Sequence, residues 1–426
     1  MRNRLPWVVT ALAVLVWVGP LQWHWYAHTL ITDLPVYENA ARQMADGGIP
    51  YHDFSLEYPP LAALLFLVAR LLPFTYSFAF SGLMLIALCA TALGVMATAR
   101  ALGLDARREA LAGGAVAVSP LLLGDFITTR FDLAVAALLA WTLWAAVVWR
   151  FRLAWGLLAA AILLKLVPIV LVPVLVIHQR RAEGSRRAWA EAAAGVGAAA
   201  VVIAVFAAIA PDGTWDMLSY NLRRPLQIES SGAAYMLGLH WLAGIPLHVV
   251  DSYGSQNLAG PGTGTIAAIS TALTIVLVVA IAATFAVLLR RARPPADARL
   301  FVAATAATMA ALLATGKVLS PQFLVWLLPA GLLVSGPYGA ATAWTTLLAM
   351  ALTQAYFPSR YFDLVNLDAP AIGLLVLRDS VLVALVALAW PRPAVTTPPE
   401  RTLPQRTTPA PEEAAVSAVS GRLLSG

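Results

Sequence analysis

The chain reads as an all-α protein, a polytopic bundle of transmembrane helices, and three observations carry that reading. Hydrophobic residues make up 60% of it and charged residues only 12%, where a soluble globular domain carries about 25% charged residues. The mean hydropathy is +0.77. Apolar runs of about 20 residues recur, each long enough to cross a hydrocarbon core of about 30 Å. The arginines gather in short loops between these runs: Arg2 and Arg4; Arg100, Arg107 and Arg108; Arg180, Arg181, Arg186 and Arg187; Arg290, Arg291, Arg293 and Arg299. Such clusters mark cytoplasmic loops. The net charge of +6 is therefore a topology signal, and no nucleic-acid partner is expected. The single Cys89 excludes an intramolecular disulfide framework and a zinc site built from cysteines.

Taken in order, the elements follow from parity. The N-terminal MRNR and the apolar run behind it have the look of a secretory signal. The run ends in Trp23, His24, Trp25 and Tyr26 with no small-x-small cleavage site, so it reads as an uncleaved first span over 7–27 with an interfacial belt. With Met1 inside, the loop at 28–57 lies outside. Residues 58–73 are short and led by proline, a possible half-span. Residues 77–99 return to the Arg100–Arg108 loop, and 110–124 and 131–149 go out and back. Basic loops flank 153–177 on both sides, which one crossing helix cannot satisfy; a re-entrant hairpin broken near Lys165 and Pro168 can. Span 192–210 goes out, 211–263 stays largely external with 236–250 dipping into the interface, and 264–289 comes back to the Arg290 cluster. Segments 299–315, 323–335, 338–357 and 371–390 complete the bundle with the C-terminus inside. The expectation is about ten full spans, ten to twelve membrane segments when re-entrant and interfacial pieces are included. Residues 1–390 form a single membrane domain. The Pro- and Thr-rich tail 391–426 cannot bury a core and is expected to be disordered and cytoplasmic.

The same parity gathers polar residues on the extracytoplasmic side. The first loop carries Asp33, Glu38, Asp46, Asp53 and Glu57 against a single Arg42, with aromatic and turn-forming residues among them. Asp33 directly follows the first span and has Tyr37 one helical turn on; it is the candidate general base beside the lipid phase. Asp46, Asp53 and Glu57 read as solvated loop or turn residues. Segments 124–132, 220–231 and 316–322 bring Arg130, Asp132, Arg223, Arg224, Glu229, Lys317 and Gln322 to the same face. The only two lysines, Lys165 and Lys317, both interrupt hydrophobic segments. A charge in such a place normally lines a cavity or pairs. His24 and His28 are four apart but lack a third ligand, so no metal site is expected. A carboxylate base at a membrane face points to an enzyme acting on lipid-linked substrates. The rival is a transporter or flippase for a lipid-linked or anionic substrate, although paired broken helices from two related halves, common in transporters, are not evident.

In order along the chain, DLPVY (33–37), GIPY (48–51), EYPPL (57–61), RFD (130–132), LLKLVP (163–168), RRPLQIES (223–230) and GKVLSPQFLVWLLP (316–329) resemble bacterial glycosyltransferase family 87. These are GT-C-type integral membrane enzymes that include polyprenyl-phosphomannose-dependent α-mannosyltransferases of actinobacterial glycolipid assembly. The resemblance covers residues 33–329. It implies a GT-C-like bundle and transfer of a hexose, mannose by analogy, from a polyprenyl-phosphate donor to a glycolipid or glycan acceptor. It also implies Asp33 as the base. No cofactor is expected. The chemistry suits the residues: a base must deprotonate the acceptor hydroxyl, and the departing phosphate needs cations but no protonating acid. Arg223, Arg224, Lys317, Arg130 and Lys165 are the candidate phosphate ligands. Tyr37, Tyr58, Glu229, Gln322 and His52 are the candidate substrate contacts.

Overall fold

The structure is a computed structural model that describes residues 2–22, 31–292 and 296–393. The expectations for the aromatic belt after Gln22, for His24 and His28, and for the tail beyond Pro393 fall outside those residues. The first helix, α1, runs Leu5–Val18. The acidic loop then folds into α2 (Leu34–Ala45), and the proline-led stretch into α3 (Pro60–Leu71). Proline suits that first turn because the N–H it lacks has no intrahelical partner there anyway.

Next come α4 (Tyr76–Ala101), α5 (Ala106–Val118), the single turn α6 (Pro120–Leu123) and α7 (Asp132–Val147). A 3-10 turn over Asp125–Thr129 separates α6 from α7. The expected break in 153–177 is present. Helix α8 (Phe151–Leu164) stops at Lys165, whose backbone is extended, a 3-10 turn spans Val167–Leu171, and α9 (Val172–Glu183) follows.

Helix α10 covers Ser185–Ile209, α11 Pro211–Arg223 and α12 Ser231–Ala243. After α12 the chain makes a feature absent from the sequence reading, an antiparallel hairpin of β1 (His248–Ser252) and β2 (Ser255–Ala259). Its tip, Tyr253–Gly254, has positive φ at both residues, 54° and 61°, as a tight two-residue hairpin turn requires.

Helices α13 (Thr263–Leu289) and α14 (Ala296–Thr315) follow. The expected segment 323–335 is instead a 3-10 stretch, Pro321–Leu327, and the one-turn helix α15 (Leu328–Gly331). Pro329 lies within it and lacks the N–H a continuing helix needs, so it does not form a continuous span. The chain finishes with α16 (Gly339–Tyr356), α17 (Tyr361–Val365) and α18 (Ala369–Ala389).

Among the described residues six helices are long and apolar enough to cross a bilayer: the N-terminal one, α4, α10, α13, α14 and α18. Shorter apolar helices α3, α7 and α8 fill the space between them. Helix α14 is central, with 83% of its most apolar stretch buried, against 17% for α10. Helix α14 is rich in alanine and threonine, which let neighbouring backbones approach closely on all sides; α10 is as rich in alanine but buries one face only, Ala188, Ala192, Gly195 and Ala199. Helices α10 and α13 turn Val201, Val205, Ile275 and Val279 outward, a surface that only an apolar solvent tolerates in such amount. This is an integral membrane protein, an all-α polytopic bundle with one small hairpin added.

Candidate active site

The first loop supplies a carboxylate that does not cap the helix it precedes. Asp33 precedes α2, where an aspartate ordinarily accepts a bond from a backbone N–H of the first turn. Here Thr32 Oγ1 accepts the Leu34 N–H at 3.2 Å, and Pro35 has no N–H to offer. The Asp33 side chain makes no capping bond and reaches across the bundle. Its Oδ1 forms an ion pair with Arg130 Nη1, and its Oδ2 accepts the Tyr37 hydroxyl at 3.2 Å. Tyr37 lies beneath, buried, stacked on Phe66 at 4.3 Å and edge-on to Tyr58 and Phe131. This aromatic cluster fixes the start of α2 against α3 and α7.

Arg130 is held extended between the 125–129 turn, whose Phe126 and Ile127 are buried, and α7. Its side chain is only 7% exposed. Burial pushes its pKa down to about 10, opposed by Asp132 and Glu229, so it stays cationic at neutral pH. Its Nε has no protein partner among the described residues. Two residues on, Asp132, which is buried, accepts Lys165 Nζ at 2.7 Å, and the Lys165 side chain is 15% exposed. The Lys165 ammonium also sits over the rings of Phe131, Phe323 and Trp326 at 5.0, 4.3 and 5.0 Å. Lys165 can occupy this cage only because α8 breaks there and turns its backbone extended.

The opposite wall is the segment between α11 and α12. Arg224 Nη2 donates to Ser255 Oγ at 2.8 Å and to Gln227 Oε1 at 3.4 Å, so the hairpin tip braces it. Gln227 donates to Ser320 Oγ and to Glu229 Oε2, each at 3.2 Å. Glu229 Oε1 accepts the Tyr356 hydroxyl at 3.0 Å. Burial pushes the Glu229 carboxyl up to about 7.

These walls enclose a cavity of about 190 Å³. Of the residues singled out from sequence, Asp33, Tyr58, Arg130, Lys165, Arg224, Glu229 and Gln322 line it. Four others do not. Tyr37 supports Asp33 from below. Arg223 is exposed and pairs with Asp216 at 2.7 Å. Lys317 donates to the Leu222 carbonyl at 2.7 Å, and its own carbonyl accepts the Gln227 N–H at 3.0 Å, so it buttresses the wall rather than facing the cavity. His52 pairs with Asp53 at 2.7 Å on an exposed turn. That contact and the Ile49 N–H hold the Asp53 carboxyl below its usual range, the backbone bond contributing most. Asp53 is thus a turn-maker.

Sequence reasoning set Glu57 aside as a solvated loop residue, yet it lines the cavity, with the Tyr58 and Tyr220 hydroxyls beside it. Pro59 restricts the backbone of Tyr58, but nothing in the sequence marks Glu57 itself as facing the bundle. Tyr220, Tyr253, Ser255, Gln227, Ser320 and Tyr361 also line the cavity. Nothing in their spacing marks them. No group of three or more His, Cys, Asp or Glu side chains among the described residues could hold a metal ion.

Fold and site together define a class: an integral membrane protein whose helices support a polar pocket lined by three carboxylates (Asp33, Glu57, Glu229) and three cations (Arg130, Lys165, Arg224). Such a lining suits a head group that is both anionic and rich in hydroxyls. The chain belongs to glycosyltransferase family 87, whose sequence pattern matches residues 56–316, more than half of its length. It is therefore a glycosyltransferase. The matched stretch takes in Glu57, Arg130, Lys165, Arg224 and Glu229 and leaves Asp33 and Gln322 outside. No curated protein sequence matches the chain.

Proposed function

We propose that this glycosyltransferase moves a hexose, by family analogy mannose, from a polyprenyl-phosphate donor to a hydroxyl of a lipid or glycan acceptor on the extracytoplasmic face of the cell membrane, with both termini cytoplasmic. The observation that supports this reading is the convergence of Asp33 with Arg130, Lys165 and Arg224 on one cavity, formed by elements far apart in sequence.

The Asp33 carboxylate takes the proton of the acceptor hydroxyl as that oxygen bonds to the anomeric carbon. The bond from that carbon to the phosphate oxygen breaks, and the electron pair leaves with the polyprenyl phosphate. The leaving group is a stable anion, so the reaction needs no protonating acid, unlike glycoside hydrolysis with its two cooperating carboxylates. It needs positive charge where the phosphate gains it. Arg130, tied to Asp33 through Nη1, supplies a fixed positive charge in the cavity wall. Arg224 offers a fork from the opposite wall. Lys165, anchored to Asp132, acts as a fixed point charge. Tyr58, Glu57, Glu229 and Gln322 supply hydrogen-bonding groups for sugar hydroxyls. The reading calls for no cofactor.

Purified protein incubated with a panel of polyprenyl-phosphate hexoses and a bacterial lipid extract tests this. One donor should be consumed with a glycolipid or glycan gaining one sugar. Consumption of nucleotide sugars alone would refute it.

A further inference from the structure

Helix α18 is apolar enough to cross the membrane, yet at its middle Arg378 and Asp379 are fully buried. Charged side chains inside an apolar span are costly and rarely idle. An apolar pair of similar volume would pack the helix at least as well, so the question is what these two groups hold.

They hold one corner. Arg378 Nη2 donates to the Glu229 backbone carbonyl at 2.6 Å. Arg378 Nε pairs with Asp379 Oδ1 at 3.2 Å, and the same oxygen accepts Ser231 Oγ at 3.0 Å. Between them Ser230 caps α12, accepting the Ala233 N–H at 3.4 Å and donating to the Gln227 carbonyl at 2.7 Å. The Glu229 carbonyl and Ser231 are thereby tied to α18, and Ser230 ties the Gln227 carbonyl to the same corner. The carboxylate receives one donor on each oxygen, Tyr356 and Gln227. Each oxygen keeps a further lone pair, and the side chain lines the cavity.

We propose that Arg378 and Asp379 are positioning residues that set the Glu229 carboxylate in the cavity wall, where it accepts hydroxyl groups of the transferred sugar. This rests on the reading of the cavity as the sugar-donor site. Neither residue touches the cavity itself, so both act through Glu229. The ionisable groups facing Glu229 are Arg378 and Asp379 from α18, Tyr356 from α16, Tyr361 from α17 and Arg130 from the turn before α7. Burial raises the Glu229 carboxyl, and the Arg378 cation is the largest opposing influence.

The test is an infrared titration of the full-length protein in lipid nanodiscs, with the Glu229 carboxyl band assigned by its loss in Glu229→Gln. The wild-type midpoint should lie near 7, where burial places the Glu229 carboxyl. Arg378→Gln should move it upward by about one pH unit or more, because a near cation is lost while the site stays dry. Arg378→Lys, a cation on a shorter reach, should move it upward by less and serves if the glutamine variant does not fold. Asp379→Asn should move it down. Simple loosening would admit water and lower the midpoint in every variant. A fall, or no change, on substituting Arg378 therefore overturns the proposal.

Transfer supplies a second arm. Arg378→Gln should lower kcat/KM by about 10–100-fold, the scale of a misplaced contact group, and should cost nothing further in a Glu229→Gln background. Independent losses would overturn the action through Glu229. If Glu229→Gln leaves transfer unchanged, the sugar contact fails, while the direction of the infrared midpoint still decides the positioning.

Discussion

Replacing Asp33 by asparagine is the most direct test of the chemistry. The substitution preserves the shape and an oxygen that can still accept the Tyr37 hydroxyl, now 3.2 Å from Oδ2. It removes the capacity to take a proton from the acceptor. General-base catalysis contributes about 10²–10⁴-fold, so kcat should fall by at least about 100-fold, or about 2.7 kcal/mol in the barrier. The structure adds a second consequence. Arg130 loses its ion-pair partner, but Asp132 and Glu229 still bias it toward the charged form, so the fold should survive. Donor KM should change little, because the base acts on the acceptor and not on the phosphate. The assay is transfer from a radiolabelled polyprenyl-phosphate hexose by purified protein, with a thermal unfolding curve of each variant beside it. Asp53→Asn and Asp46→Asn are the controls and should stay within a few-fold of wild type, since Asp53 holds an exposed turn and Asp46 ends α2. Near-normal transfer by Asp33→Asn would sink the base assignment. Loss confined to Glu57→Gln would move the base to the other carboxylate that the first loop places in the cavity.

Four further outcomes follow from the geometry. Arg224→Ala should raise donor KM and slow transfer, with partial rescue by lysine because the fork is lost; Lys317→Ala should cost much less, since its ammonium faces the Leu222 carbonyl, and equal losses would contradict that placement. Lys165→Met leaves the Asp132 carboxylate buried and unpaired, which should cost about 3–5 kcal/mol in detergent unfolding; Lys165→Met with Asp132→Leu should recover most of it. The folded-state pKa of Glu229 is raised from 4.5 to about 7, so the folded state binds the extra proton and stability should fall as pH rises from about 4.5 to about 7, by about 3 kcal/mol in all; Glu229→Gln should flatten that slope, and a persisting slope would assign it elsewhere. Cysteines at Asp46 and Asp251 should react with an impermeant maleimide in intact cells, and one at Arg186 only after lysis; labelling of Arg186 from outside would overturn the proposed orientation.

What the sequence determined by itself was governed by solvent and by local backbone chemistry. Long apolar runs have one stable form in a bilayer, the helix that satisfies its own backbone, so α4, α10, α13, α14 and α18 lie close to where hydropathy puts them. The break at Lys165 was readable for the same reason: Pro168 cannot continue a helix, and a lone lysine in an apolar run must find a partner. The partner itself was not readable. Asp132 is 33 residues away, and only the packing of α7 against α8 decides that they meet.

Tertiary structure likewise decided which of several similar charges face the cavity. Arg223 and Arg224 are neighbours in a helix-ending sequence, yet one pairs with Asp216 in the open and the other bends inward to Ser255, because adjacent residues at the end of α11 point in different directions. Glu57 and Asp53 belong to one acidic loop, but the Ile49 N–H and His52 consume Asp53 while Glu57 lines the cavity beside Tyr58 and Tyr220. The hairpin at 248–259 escaped notice because its strands are short and its pattern follows exposure rather than a strict alternation. Local sequence prescribes which residues can be polar at a membrane face. Long-range packing of helices chooses which of them share a cavity, because that choice is made by contacts between segments tens to hundreds of residues apart.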